Sequence, residues 1–514
     1  MSLKEKSFKT LRFLAFSIGI IAVIIFLGNG TGVKSETSPS EFSNKIDAFI
    51  QKIISKSNYK AGFSISIVKG NDVLFCKGYG YRNVEKRLPL TAETPIYIAS
   101  ATKSFVGTTA KILSDEKELS LDSSISKYLP ALKFNNSPLS TKTISIRDLL
   151  THRSGIENIP IVLRTAFTGD QTDSLILKLF SKSIFKGHSF RYTNLGYVLT
   201  GLIIDKVTDK SWKDILEEKI FKPLKMNSTH AYVSVYNKSD LAQPYTVLNG
   251  KAKELEYIKD DKTMHAAGGI ITTARDAANW LIFNINNGEF NGKQIMSDQS
   301  MKEIHSAQID LSASFYKYKR FAYGLGWYLS DYNGDLLVHH FGGYAGFRSH
   351  ISFMPKYKIG VAGFVNDDGE GFYLPDLVAD YAYNLLSGKK DAEKIAEKEY
   401  NEYMQRIDKK RKKTEGKKTE SNLLTKNEMK DFVGTYYNED YGMLRIRIKG
   451  NILTANMGNL EGKITEPKND FLLADMVAFK SKIEFEKNSE NKIISLSLVS
   501  IPWRDNKFVR TNQK

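Results

Sequence analysis

Ser100 and Lys103, in Ser-Ala-Thr-Lys, place a hydroxyl and an amine one helical turn apart on one face. A lysine that is neutral there can take the serine proton as a nucleophile forms, which is the chemistry of acyl transfer. The same four-residue pattern recurs at Ser57/Lys60, Ser124/Lys127, Ser183/Lys186, Ser314/Lys317 and Ser387/Lys390, so context must select among them. Ser100 follows the apolar, strand-like Pro95-Ile-Tyr-Ile-Ala99 and precedes Val106, Ala110 and Leu113, which recur at helical spacing. The serine is therefore expected to open a helix. There, unpaired backbone N–H groups and the positive end of the helix dipole favour developing negative charge. None of these five pairs has this setting.

Two further short motifs follow in order. Tyr192-Thr-Asn194 leads into an apolar run, residues 198–207, suited to a buried helix, which leaves the tyrosine and asparagine at its mouth. Tyr436-Tyr-Asn438 repeats the pattern without those surroundings. His340-Phe-Gly342 is the one His-x-Gly of the chain, in a stretch where apolar residues suggest a strand and glycines let backbone approach a ligand. On a regular strand His339 points to the opposite face, so the site role falls to His340.

In this order and context the three motifs resemble the serine β-lactamase and penicillin-binding-protein superfamily, in its class C-like and esterase-like branch. The resemblance covers roughly residues 42–386. It extends to Ile144-Ser-Ile-Arg-Asp-Leu-Leu-Thr-His-Arg-Ser-Gly155, Tyr192-Thr-Asn-Leu-Gly-Tyr-Val-Leu-Thr-Gly201, Ala266-Ala-Gly-Gly-Ile-Ile-Thr-Thr-Ala-Arg-Asp276 and Tyr323-Gly-Leu-Gly-Trp327. It implies an α+β, two-lobed fold: an antiparallel sheet with flanking helices beside a helical lobe, with the site between them. It further implies that Ser100 is the nucleophile and Lys103 its base partner. Tyr192 would shuttle the proton and later activate water, and Asn194 would position the substrate amide. The backbone N–H groups of Ser100 and Gly343, beside Gly342, would form the oxyanion hole.

The chain departs from the pattern at His340, where β-lactamases and transpeptidases usually carry lysine in Lys-Thr/Ser-Gly. A lysine is a permanent cation suited to a substrate carboxylate, whereas histidine titrates near pH ~6.5. Phe341 also removes a hydroxyl. Both changes favour the esterases, D-aminopeptidases and amidases of the family over an efficient β-lactamase. A penicillin-binding D,D-carboxypeptidase or weak β-lactamase is the alternative within the fold. A non-catalytic envelope sensor is the alternative outside enzymology. If His340 takes part, the rate should change between about pH 5.5 and 7.5. Bland roles compete at each position: Ser100 as a helix cap, Tyr192 as packing, Asn194 as a cap or turn residue. His152 follows a helix opened by Ser145-x-x-Asp148 and ending near Gly155, which assigns it a structural role outside the site.

The chain of 514 residues exceeds what one core usually serves. Its net charge of +17 could suggest nucleic acid, but no helix-turn-helix or zinc signature accompanies it. Much of the excess lies between Arg406 and Lys418, read as a solvated linker with anionic lipid or envelope polymer as the other reading. The eight histidines form no His-Glu-x-x-His and no phosphate-binding loop occurs, so no metal or cofactor is expected. Substrates are expected to be small molecules or peptides. Cys76, the only cysteine, reads as inert packing. Lys4, Lys6, Lys9 and Arg12 precede an uncharged stretch over residues 13–27, the pattern of a secretory signal. Export to the periplasm, envelope or medium follows, with an uncleaved membrane anchor left open; no cysteine follows the run to accept a lipid.

These signals divide the chain into a signal or anchor (1–35), a hydrolase domain (40–390), a charged helix and linker (391–421) and a C-terminal β domain (422–514). Within the hydrolase, residues 63–68 and 73–79 read as a hairpin around Lys69-Gly-Asn-Asp72. Thr273-x-x-Asp276 caps a helix with Ala277, Trp280, Leu281 and Ile285 on one face. Strands are expected over 336–338, 351–353 and 360–365. In the C-terminal part, Leu444, Ile446 and Ile448 alternate with Arg445, Arg447 and Lys449, which fits a small antiparallel barrel or sheet.

Overall fold

A computed structural model describes residues 38–511 apart from 257–258, 416–423, 467–470, 502 and 504. The expected signal segment and residues 416–421 of the expected linker lie outside these residues; the reading of Arg406–Lys418 as solvated linker is corrected, because the chain stays helical to Glu415 and Arg411 pairs with the buried Glu370 (2.7 Å). No helix among the described residues is long and apolar enough to cross a membrane.

The scaffold is an eight-stranded antiparallel sheet. Its strands are β1 (Phe63–Lys69), β2 (Asp72–Tyr79), β3 (Ile309–Phe315), β4 (Tyr318–Tyr323), β5 (Tyr328–Tyr332), β6 (Asp335–Tyr344), β7 (Phe347–Met354) and β8 (Ile359–Val365), in spatial order β3-β4-β5-β6-β7-β8-β1-β2. The N-terminal hairpin therefore joins the sheet beside β8, with Phe63 opposite Val365. Strands β7 and β8 are buried along their whole length, because both faces of the sheet are covered.

One face packs on α1 (Pro39–Ser57), α5 (Leu374–Leu386) and α6 (Ala392–Glu415); the lysine-rich α6 still buries Ala396, Tyr400, Tyr403 and Ile407 there. The other face carries the helical lobe, with α2 (Thr102–Asp115), α3 (Leu195–Thr208) and α4 (Ala274–Ile285). Trp280 of α4 stacks on Phe105 of α2 at 4.0 Å and on Trp327 at 6.2 Å, which joins the nucleophile helix to the sheet. Thr273 caps α4 through the Asp276 N–H (3.0 Å), but the Asp276 carboxylate turns away to accept from Ser228 N–H and the Thr229 hydroxyl.

Eight further strands, from Gly434–Asn438 to Lys507–Thr511, close into an antiparallel barrel. Leu444 and Ile446 face its core, whereas Ile448, at the end of its strand, is exposed. The α+β class, the two-lobed arrangement and the C-terminal antiparallel barrel are thus all present. The barrel docks on the helical lobe: Arg164 Nε donates to Asp440 O (2.7 Å), Lys182 pairs with Asp440 (2.6 Å) and Asn459 N–H donates to Thr168 O (3.0 Å). Cys76 is half-buried against the core, and burial pushes its thiol up to about 11, which leaves little thiolate.

Candidate active site

The site forms where the sheet lacks a strand. β5 pairs with β6 only from Tyr332 opposite Asp335 to Tyr328 opposite His339, while β7 continues alongside β6 to Tyr344. One edge of residues 340–344 is therefore open, and the 3-10 turn Ala99–Ala101, carrying Ser100, packs into it before running on into α2. A Cβ on Gly342 would collide with the Ile98 carbonyl and the Ser349 hydroxyl and come within 3.0 Å of Ser100 N. Only glycine lets strand and turn approach so closely. Gly343, next along the open edge, is exposed, with open space where a Cβ would be.

The turn is strained and held. Ala99 has φ +49°, a region L-residues rarely occupy, immediately before the nucleophile. Ile98 N–H donates to Ile270 O (3.1 Å), and the Ser349 hydroxyl donates to Ile98 O (2.7 Å). Opposite, Arg348 Nη1 donates to Gly342 O (2.9 Å). A trans peptide points its N–H away from its carbonyl, so the Gly343 N–H turns from Arg348 toward the open edge.

Lys103 is fully buried, and its Nζ lies 2.7 Å from Ala267 O, 2.9 Å from Asn194 Oδ1 and 3.2 Å from Ser100 Oγ. All three partners are neutral. Burial without a counter-ion holds the ammonium pKa well below its ordinary value. A neutral amine has two N–H bonds and one lone pair; Ala267 O and Asn194 Oδ1 take the N–H bonds, which leaves the lone pair for the Ser100 hydroxyl proton.

Asn194 occupies the N-cap position of α3, yet its side chain makes no cap bond and turns to Lys103 instead. Tyr192 sets its ring 4.8 Å from Lys103 Nζ, and 40% of the residue is exposed. Burial pushes the phenol well above its ordinary range, against a smaller lowering from its hydrogen bond with Ser100.

His340 is buried on the Tyr192 side of β6, its ring 6.2 Å from that of Tyr192, while His339 faces the opposite side against Phe341. Its Nδ1–H donates to Phe341 O (2.9 Å), so Nε2 accepts from the Tyr323 hydroxyl (3.1 Å). Burial, and then the nearby Lys103, push its pKa well below 6.5. The expected titration between pH 5.5 and 7.5 is therefore corrected: the ring is a neutral wall of the cleft.

His152 also needs correction. It sits at φ +60° with its ring 4.6 Å from Tyr192 and 4.8 Å from Tyr323, inside the site rather than apart from it. Its Nδ1 accepts the Thr193 N–H (3.2 Å), which steadies the Tyr-x-Asn segment, while its buried Nε2 has no partner among the described residues. Tyr323, Ser349 and Ala267 are further members that the motifs did not reveal. No metal-holding group of His, Cys, Asp and Glu occurs among the described residues.

Comparison with known proteins gives the family and the fold. Residues 49–383 match the family described as Beta-lactamase. Protein flp of Staphylococcus aureus is 28% identical over 355 residues, 68% of each chain. The octameric penicillin-binding protein homologue from Pyrococcus abyssi superposes with a TM-score of 0.57 at 25% identity, covering 91% of this chain and 99% of its own. The D-amino acid amidase from Ochrobactrum anthropi SV3 does so with a TM-score of 0.55 at 24% identity, covering 68% and 99%.

Proposed function

The chain belongs to the β-lactamase family, and on that premise we propose that it is a serine hydrolase that cleaves an ester or amide through a Ser100 acyl-enzyme. The observation that carries this reading is the buried, counter-ion-free Lys103 amine 3.2 Å from Ser100 Oγ. As Ser100 Oγ attacks the carbonyl carbon, its proton passes to the Lys103 lone pair. The developing oxyanion is received by the N–H groups of Ser100 and Gly343. Tyr192, whose phenol stays protonated, relays the proton to the leaving group; the same groups then activate the water that frees the acyl chain. Asn194 orients Lys103 through Oδ1, and in this reading its amide nitrogen meets a substrate carbonyl.

A neutral His340 in place of the usual lysine weighs against an efficient β-lactamase. A D-amino-acid amide or peptide suits the reading, since one structural relative is a D-amino acid amidase. Export rests on the basic, then apolar, N-terminal sequence and is tested by sequencing the N-terminus of the mature protein.

The decisive experiment is hydrolysis of a chromogenic activated ester by the full-length protein and by Ser100→Ala, with intact mass to trap the acyl group. A burst and a mass increase in the wild type, both absent in Ser100→Ala, are expected. A folded wild type that is never acylated overturns the reading in favour of a binding protein.

A further inference from the structure

A buried cation lies behind the open edge of β6. In the β6–β7 ladder Gly342 stands opposite Ser349 and Gly343 opposite Arg348. Arg348 is 2% exposed, and the two N–H bonds of its Nη1 are divided between the strands: one goes to Gly342 O at 2.9 Å, the other to Ser349 O. Nη2 faces the carboxylate of Asp376, on α5, at 3.5 Å. The guanidinium lies 4.9 Å from the rings of Phe341 and Phe372, on the face of the sheet away from Ser100, where it touches no substrate.

Asp376 is itself fully buried and tied down by a one-way chain of donors. A carboxylate only accepts, so His350 Nδ1–H donates to Asp376 Oδ1 (2.9 Å) and Nε2 is left to accept from the Ser352 hydroxyl (2.5 Å). The Tyr383 hydroxyl in turn donates to Ser352 Oγ (2.6 Å).

Stability does not account for this arrangement. A buried ion pair is often no better than the apolar residues that could replace it, and Nε of Arg348 has no partner among the described residues. What the arginine does reach is the peptide between two glycines. No side chain there resists rotation of the peptide, and beyond His339 the strand is paired on the β7 side alone. A cation on the Gly342 carbonyl keeps that carbonyl toward β7 and the Gly343 N–H on the open edge. It also polarises the peptide, which makes the N–H a stronger donor.

We infer that Arg348 is a positioning residue of the oxyanion hole, acting through the Gly342–Gly343 peptide, with Asp376 setting how much of its charge is felt there. This rests on the reading of Ser100 and Gly343 given above and extends it to the far side of the sheet.

The full-length protein is acylated with 4-nitrophenyl benzoate carrying an isotope-labelled carbonyl, and the infrared stretch of the benzoyl carbonyl is read beside the burst rate. Donors of an oxyanion hole weaken that carbonyl and lower its stretch. Arg348→Met should raise the stretch toward that of methyl benzoate in water and slow the burst by about tenfold, short of the ~10²–10³ that loss of a whole donor costs. Arg348→Lys should recover part of both. Asp376→Asn removes a negative charge and should lower the stretch instead, whereas a merely structural role moves both variants the same way. An unchanged stretch in Arg348→Met, or shifts of one sign in Arg348→Met and Asp376→Asn, overturns the inference. If Arg348→Met does not fold, the sign in Asp376→Asn decides alone: downward supports the role, upward or no shift overturns it. A folded wild type that never carries benzoyl on Ser100 sinks the Ser100 reading, while acylation at Ser100 with a stretch indifferent to Arg348 sinks only the role of Arg348.

Discussion

Lys103 can act as a base only if it meets Ser100 as a free amine, and its surroundings decide that. Burial lowers its pKa, so the neutral form accumulates at a lower pH than lysine's ordinary ~10.4 allows. The acylation rate is therefore expected to rise with pH and level off well below that value. Lys103→Arg, which stays protonated, should lose on the order of 10²–10⁴ in rate at every pH. A profile still rising steeply above pH ~9.5 would place the lysine in its ordinary, charged state. His340 should contribute no limb between pH 5.5 and 7.5, so a pH profile of His340→Gln that changes shape there would show that the ring titrates after all. The Ser100–Lys103 pair was legible in the sequence because its geometry is local, one turn of helix. The partners that set the lysine's charge were not: Asn194 is 91 positions away and Ala267 is 164 away, and only folding shows that neither brings a carboxylate. His152 was misassigned for the same reason, since its local role as the end of a short helix says nothing of Tyr192 lying on its ring.

The open edge of β6 makes the site, and its two glycines divide the work. Gly342 lets the Ser100 turn close on the strand, so Gly342→Ala must push Ile98 or Ser349 aside, at about 1–3 kcal/mol of stability. Gly343→Ala meets open space at a negative φ and should melt with the wild type. Thermal unfolding of the two variants checks this pair. Equal stability for both would mean that the turn does not pack into the edge as described. The hairpin of β1 and β2, the cap of α4 and the strand around His340 were readable from alternation and capping residues, because each is set within a few positions. That β5 ends opposite His339 was not readable, since it depends on where the chain between Tyr323 and Tyr328 turns back. Arg348 escaped notice likewise, because its value lies in the carbonyl it holds across the β6–β7 ladder.

Across the whole molecule, the burial that neutralises the site also couples folding to acid. Of the eight histidines, five (His152, His265, His339, His340 and His350) are buried and His305 is half-buried, and desolvation lowers the pKa of all six, that of His305 to about 3. A histidine whose folded pKa is depressed adds stability that is present above its unfolded pKa of ~6.5 and lost as pH falls. Four carboxyls act in the opposite sense: desolvation raises Asp205 and Asp367 to about 7 and also raises Asp276 and Glu254, so their contribution is present at low pH and lost as pH rises through the folded values. As the pH falls below about 6.5 the unfolded chain takes up protons that the desolvated histidines of the fold resist, so the histidines destabilise the fold in acid, against the smaller number of raised carboxyls. Five of the six histidines belong to the sheet or to the lobe beneath Tyr192, and the barrel is tied to that lobe through Arg164, Lys182 and Asn459, so loss of the lobe should take the barrel's docking surface with it. The melting temperature should accordingly hold near neutral pH and fall steeply below about pH 6 in one transition. An unchanged melting temperature between pH 7 and 5 would mean that these histidines are protonated in the folded protein, which would remove the neutral wall at His340.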